Sequence, residues 1–177
     1  MPLGIDRLHK LVKEKKLVEG LSDRELNNPE GAGIEVRIGK VYKAKGRGFL
    51  GVDDRETPNV ELVAELGKDK HYVLKPGEFV IVETIERVNM PDDIQGMIAP
   101  RSTLCRSGVQ LLFSQIDPGY VGTISLGLKN LSDEPFTFEL GARAAKFFFF
   151  TVEGSAHSYR GQWKGGRMST NGREKQV

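Results

Sequence analysis

Two guanidinium groups and three hydroxyls fall within the seven residues Arg101-Ser102-Thr103-Leu104-Cys105-Arg106-Ser107. Arginine forks grip phosphate oxygens bidentately, and hydroxyls and backbone N–H groups fill the remaining positions. This is chemistry for a polyphosphate, although a solvated turn has the same composition. A second constellation follows at Gln115-Ile116-Asp117-Pro118-Gly119-Tyr120-Val121-Gly122. An Asp at the mouth of a tight turn can orient a water or hold a sugar hydroxyl. Asp-Pro-Gly is equally a favoured turn sequence, because Asp bonds its own backbone there. The third is Tyr159-Arg160-Gly161-Gln162-Trp163-Lys164-Gly165-Gly166-Arg167, which is basic, aromatic and glycine-rich. Such a segment can close over a polyphosphate and exclude water, or it can be a solvated end.

Short strands and turns must position these groups. Ile34, Val36 and Ile38 alternate with polar residues, the period of a half-buried strand. Further strands are predicted at 60–66, 79–84, 94–99, 109–113, 124–128, 136–140 and 144–152. Turn signals such as Pro76-Gly77, Asn89-Met90-Pro91-Asp92 and Asp117-Pro118-Gly119 separate them. Strands at this spacing suggest a sandwich, barrel or jelly roll. Upstream, Ile5, Leu8, Leu11 and Val12 recur at helical spacing, with Asp6 near the start and Gly20 as a stop. Ser22 to Leu26 begins a second short helix. Phe147 to Phe150 is apolar without a break, as in a strand buried on both faces between its sheet and a neighbouring subunit. We expect one domain over residues 1–153, including the N-terminal helix, and a flexible tail over 154–177.

The 177-residue length suits one domain with a real core. With 26 basic and 24 acidic residues, the charge balance argues against non-specific nucleic-acid binding. No apolar run approaches the roughly 20 residues of a membrane helix. One cysteine, Cys105, leaves no internal disulfide, and no Cys/His zinc pattern is present. The start MPLGIDRLHK lacks a charged-then-apolar leader pattern, so cytoplasmic residence is the default expectation.

Order and spacing together carry a family resemblance. Arg101-Ser102-Thr103-Leu104-Cys105-Arg106 resembles the phosphate-binding R-S-S-L-x-R motif of the dUTPase / dCTP deaminase superfamily. Ile116-Asp117-Pro118-Gly119-Tyr120-Val121-Gly122 resembles its nucleoside-binding I-D-x-G-[WYF]-x-G motif. Asn130-Leu131-Ser132-Asp133-Glu134-Pro135-Phe136 and Gly141-Ala142-Arg143-Ala144-Ala145 are similar to its N-x-S-x-E-P-[FV] and G-x-R-x-A segments. Gly33 to Gly39 resembles the S-Y-D-L-R-L-G strand. The likeness spans roughly residues 5 to 168.

The resemblance implies a mainly β, dUTPase-like barrel or jelly roll (β-clip) with a short helical N-terminus, assembled as a homotrimer with sites between subunits. It implies dUTP as the small-molecule partner, Mg²⁺ held mainly by phosphates and water, and no nucleic-acid or membrane partner. Arg101, Ser102, Thr103, Leu104, Cys105 and Arg106 would hold the triphosphate. Asp117 would position the water, Tyr120 would pack on the deoxyribose, and Gln115, Ser125, Leu126 and Gly127 would border the uracil. From the tail, Tyr159, Arg160, Gln162, Lys164 and Arg167 would close the site.

Deaminases of this superfamily use a glutamate within T-L-E-[LIF]. Here the segment reads Ser125-Leu126-Gly127-Leu128, and glycine offers no proton-transfer group. The sequence is most similar to archaeal-type dUTPases, whose tail reads Y-R-G-x-[YW]-x-G. Two departures stand out. Lys146 replaces the Gln of G-x-R-x-A-Q, and the glycine-rich closing motif survives only as Gly165 to Thr170, without its Phe. Trp163 is the aromatic left to take that part. The alternatives are a dCTP deaminase, alone or bifunctional, and a non-catalytic nucleotide-binding module.

Overall fold

The computed structural model describes residues 1–176; Val177, the last residue of the expected tail, lies outside the described residues. In chain order the elements are α1 (Ile5–Lys15), β1 (Val18–Glu19), α2 (Asp23–Asn27), β2 (Ile34–Lys45), β3 (Phe49–Leu50), β4 (Asp54–Glu56), β5 (Asn59–Glu65), β6 (His71–Leu74), β7 (Phe79–Asn89), β8 (Ile94–Pro100), α3 (Ser102–Arg106), β9 (Val109–Leu112), β10 (Val121–Asn130), β11 (Phe136–Glu139), β12 (Arg143–Thr151) and β13 (Glu174–Lys175).

An eight-stranded antiparallel sheet runs β8-β12-β2-β7-β10-β9, with β1 added on β7 and β5 on β2. Its ends nearly meet. Gly96 of β8 exchanges two backbone hydrogen bonds with Ile116, at 2.8 and 2.9 Å, just before β10. The result is a mainly β, nearly closed barrel, one of the architectures the strand spacing allows and in keeping with what the resemblance implies. Closure removes most of the exposed edge that an open sheet would leave. The pairs β6–β11 and β3–β4–β13 form two small ribbons beside it.

Alternation sets which face is core. Val80, Val82, Val88, Leu126 and Leu128 point inward from β7 and β10. The four phenylalanines of β12 also alternate: Phe147 and Phe149 are buried, while Phe148 and Phe150 are half-buried on the outer face. The strand's period of two thus buries one face of β12 within the single chain.

Several boundaries differ from the sequence reading. Helix α1 stops at Lys15, and Lys16 takes a left-handed conformation (φ 53°) with its N–H on Leu11 O. The chain then needs Leu17 and Val18 in the core, and Val18 pairs with Val88. Gly4, not Asp6, is the N-cap; Asp6 sits in the first turn, where a negative charge suits the helix dipole. Strand β7 runs five residues beyond its predicted end, to Asn89. Charged Glu86 hid this, yet Glu86 is fully buried and accepts the Arg37 backbone N–H and side chain, both at 2.7 Å. Burial pushes the Glu86 carboxyl above its ordinary range despite those bonds. Helix α3 forms where the arginine constellation allowed a turn, and strand β6 falls outside the predicted strands. No helix among the described residues is long and apolar enough to cross a membrane.

Candidate active site

The β9–β10 connection is pinned at both ends, by Ile116 on Gly96 and by Met90 N–H on Tyr120 O (2.8 Å). Between them lies one wall of a cavity of about 460 Å³, lined by Ser114, Gln115, Ile116, Asp117 and Tyr120. Strand β10 adds Ile124 and Ser125, and β7 adds Phe79 and Ile81. Ala44, Thr57 and Pro58 close a further side, and Tyr159, Trp163, Arg167 and Met168 come from the C-terminal segment. The volume lies in the ordinary range for small-molecule pockets.

Asp117 is the single carboxylate among these lining residues. Gln115 Nε2 donates to its Oδ1 at 2.8 Å, which fixes the carboxylate's orientation. The Tyr120 ring is buried, and its hydroxyl faces the carbonyls of Thr123 (2.7 Å) and Trp163 (3.3 Å). It meets the Tyr159 ring edge-on, with centroids 5.3 Å apart. Burial pushes the Tyr120 phenol up to about 12 and raises Tyr159 as well. Both stay neutral across physiological pH, Tyr120 donating and Tyr159 accepting the Trp163 N–H at 3.3 Å.

The C-terminal segment 154–176 lies directly on this wall. Tyr159 N–H donates to Pro118 O at 2.7 Å, and Gly165 N–H to Val121 O at 2.6 Å. Gly122 (φ 154°) makes the approach possible, since a Cβ there would fall 2.7 Å from the Gly166 nitrogen. Ser125 Oγ donates to the Met168 sulfur at 3.0 Å.

At Gly127 the space is already filled. A Cβ on this residue would lie 2.8 Å from Cε2 of Phe79 and 3.1 Å from Cβ of Leu112. Phe79 stands opposite Lys129 on β7, and its ring lines the cavity.

The arginine constellation lies elsewhere on the chain. Arg101 and α3 border a separate groove of about 600 Å³ with Arg24, Arg37, Thr103 and Arg143. The two depressions share no lining residue. One carboxylate organises the groove. Glu35 Oε2 accepts from Arg24 (3.0 Å), Arg101 (3.3 Å) and Arg143. The neighbouring Glu25 takes Arg24 at 2.6 Å and the Glu35 backbone N–H at 3.0 Å. Ser102, Thr103, Cys105 and Arg106 are exposed on α3.

Of the site residues read from the sequence, Gln115, Asp117, Tyr120, Ser125, Tyr159 and Arg167 share the cavity. Arg160 borders a second depression that Asp117 and Tyr159 also line, with His157 and Ser158. Two side chains point away. Leu104 and Leu126 are buried in the core, because alternation and the helix face leave them no other place. Lys164 is exposed, and Gln162 Nε2 is buried without a partner. Lys146 donates to Glu30 O, outside both depressions. Sequence reasoning missed Thr57, Pro58 and Phe79 as walls and Glu35 as an arginine anchor. Only Glu35, a lone acid in an apolar strand, carried a signal.

The donor chemistry fits a hard cation only weakly bound by protein. Among the described residues no group of three or more His, Cys, Asp or Glu could hold a metal. Asp117 is the carboxylate this cavity would offer a hard cation such as Mg²⁺, which keeps most of its waters and takes phosphate oxygens where a ligand supplies them.

The profile of the dCTP deaminase-like family matches residues 3–152. The chain belongs to this family. It is 31% identical over 166 residues to the dCTP deaminase of Pyrococcus furiosus, covering 93% of this chain and 95% of that protein. It is 32% identical over 133 residues to a probable deoxyuridine 5'-triphosphate nucleotidohydrolase of Methanothermobacter thermautotrophicus, covering 75% and 85%. In fold it is similar to the crystal structure of 2'-deoxycytidine 5'-triphosphate deaminase from Agrobacterium tumefaciens. The TM-score is 0.65 at 18% identity, over 84% of this chain and 47% of that longer one. Relatives under both names thus share this barrel or sequence pattern, so fold alone does not choose the reaction.

Proposed function

We propose that this family member hydrolyses dUTP to dUMP and pyrophosphate. The observation that carries the reading is at Gly127. Family deaminases resemble this chain there but place a glutamate for proton transfer at the pyrimidine ring. Here the position has no side chain, and Phe79 and Leu112 occupy the space one would need. Asp117 remains as the cavity's carboxylate.

In the proposed mechanism the nucleoside enters the Asp117 cavity, with the Tyr120 ring against the deoxyribose and no room for a 2′-hydroxyl. Backbone groups from Phe113 to Gly127 read the uracil edge. Gln115 holds Asp117 in the orientation that aims a water at the α-phosphorus. The water oxygen bonds to that phosphorus, the bond to the α–β bridging oxygen breaks, and pyrophosphate leaves. Asp117 takes the water's proton. Mg²⁺, bound chiefly by phosphate oxygens and water, would screen the triphosphate charge. Arg106, with Arg160 or Lys164, neutralises charge that builds at the leaving group.

The separation of cavity and arginine groove supports a shared site. In a homotrimer the α3 arm of one subunit would face the Asp117 cavity of the next. Met97, Phe113, Phe148 and Phe150 form an outer apolar surface suited to such contact, and Met97 is 53% exposed in the single chain.

The test is pyrophosphate and ammonia release from dUTP and dCTP with Mg²⁺. Pyrophosphate from dUTP and no ammonia from dCTP is the expected result. A second reading, dCTP deamination alone or coupled to dUMP formation, is favoured by the name of the Pyrococcus relative. Ammonia from dCTP would replace our proposal with it.

A further inference from the structure

Residues 46–58 contain none of the family motifs, yet they hold the C-terminal segment in place. Strand β13 pairs with β4, Glu174 opposite Arg55 and Lys175 opposite Asp54. The side chain of Gln176 donates to Gly51 O at 2.7 Å, and its backbone N–H to Asp53 O at 2.8 Å. Arg173 lies 4.0 Å over the Phe49 ring and 3.3 Å from Asp54. Arg55 sits 5.3 Å from the centre of the Trp163 ring, which lines the cavity. At the centre is a reciprocal pair. Thr57 N–H donates to Thr170 Oγ1, and Thr170 N–H donates to Thr57 Oγ1, both at 2.9 Å. Thr170 is among the few fully buried polar residues and Thr57 is half-buried, so the exchange satisfies one backbone donor on each side.

We infer that residues 54–58 are a further wall of the nucleotide site. Thr57 is its positioning residue, clasping Thr170 so that each chain draws its C-terminal segment across its own Asp117 cavity. Thr57 and Pro58 touch the cavity directly. Two residues before Thr170, Met168 bonds Ser125; three before it, Arg167 is tied to Glu174 of β13 at 3.0 Å. Closing the segment thus combines the β4–β13 pairing and the threonine exchange with the backbone bonds of Tyr159 to Pro118 and Gly165 to Val121. These bonds lie at the chain's end, so loss of the threonine exchange should loosen the cover without unfolding the barrel. The trimer proposed above then shares its α3 arm between subunits but not its cover.

The inference rests on the cavity being the nucleotide site, and its first test does not depend on activity. Thr57→Cys and Thr170→Cys are combined in a Cys105→Ser background, leaving only the two new thiols, and treated with oxidised glutathione. The expected product is a disulfide within one chain, running at single-chain mass on a non-reducing denaturing gel. Cross-linked dimers, or two thiols left free, overturn the clasp. If the disulfide forms but dUTP is not hydrolysed by the wild type, the functional reading fails and the clasp stands. The second test is kinetic. Thr57→Val removes one acceptor and should raise the KM for dUTP about tenfold, as one lost buried hydrogen bond implies, with kcat changed less than about threefold. Thr57→Ser should restore the wild-type KM. An unchanged KM in Thr57→Val overturns the positioning role.

Discussion

The two depressions are built on opposite principles. The Asp117 cavity is walled by rings and aliphatic chains, roofed by residues 159–168, and carries one acid whose orientation a neighbouring amide fixes. The α3 groove is open and highly charged, but at rest its arginines are spent on Glu35, Glu25 and Glu86. The cavity is ready for an apolar ring with a polar edge. The groove is ready for an anion only if that anion competes with Glu35 for the same guanidinium forks. Under the proposed function, recognition of base and sugar would be set by the single chain, whereas the phosphate response would depend on a charge exchange.

The largest expected effect tests the cavity's acid. Asp117→Asn should lower turnover of dUTP by roughly 10²- to 10⁴-fold, the usual contribution of a positioned general base. Nucleotide binding, read by calorimetry, should persist. Turnover near the wild-type rate would place the reaction elsewhere.

The groove is tested by Glu35→Gln. Three guanidiniums lose a charged acceptor, and thermal unfolding should show a loss of about 1.5–3 kcal/mol, as for hydrogen bonds to charged groups. Because the same change frees Arg101 and Arg143, the KM for dUTP should also move. A stability loss with an unchanged KM would make the groove purely structural.

Gly127→Glu probes the boundary between the two chemistries. Forcing a side chain against Phe79 should cost about 1–3 kcal/mol, the range for overpacking, and should yield no ammonia from dCTP. A measurable deamination rate would show that Phe79 yields to the new side chain.

The smallest effect lies at high pH. Burial raises the phenols of Tyr42 and Tyr120 to about 12 and lifts Tyr72 and Tyr159 in the same direction. A raised folded-state value means these groups contribute stability that is fully present below pH 10 and is lost as pH rises toward 12. Tyrosinate absorbance of the native protein should therefore lag that of the urea-unfolded chain. Coincident curves would place the Tyr120–Tyr159 wall in open water.

Legibility followed physical locality. Alternation placed β2, β7, β8, β10 and β12, and the Asp-Pro-Gly turn fell where expected, because period and turn chemistry are properties of adjacent residues. Charged pairs hid what was not local. The predicted strand ends at residue 84, short of the acidic Glu86, and only the bonds of Glu86 to Arg37, 49 residues away, let it be buried. Leu104 and Leu126 sat inside recognisable motifs, yet their side chains belong to the core.

The sequence by itself determined the strand rhythm, the family and the absence of an acid at position 127, since each is written in residue identity and order. Only the tertiary structure decided that Phe79 fills the space at Gly127, that Asp117 and Arg101 face different depressions, and that Thr57 meets Thr170. Those outcomes depend on which distant strands pair and in which register, and pairing across the barrel leaves no mark in the local pattern.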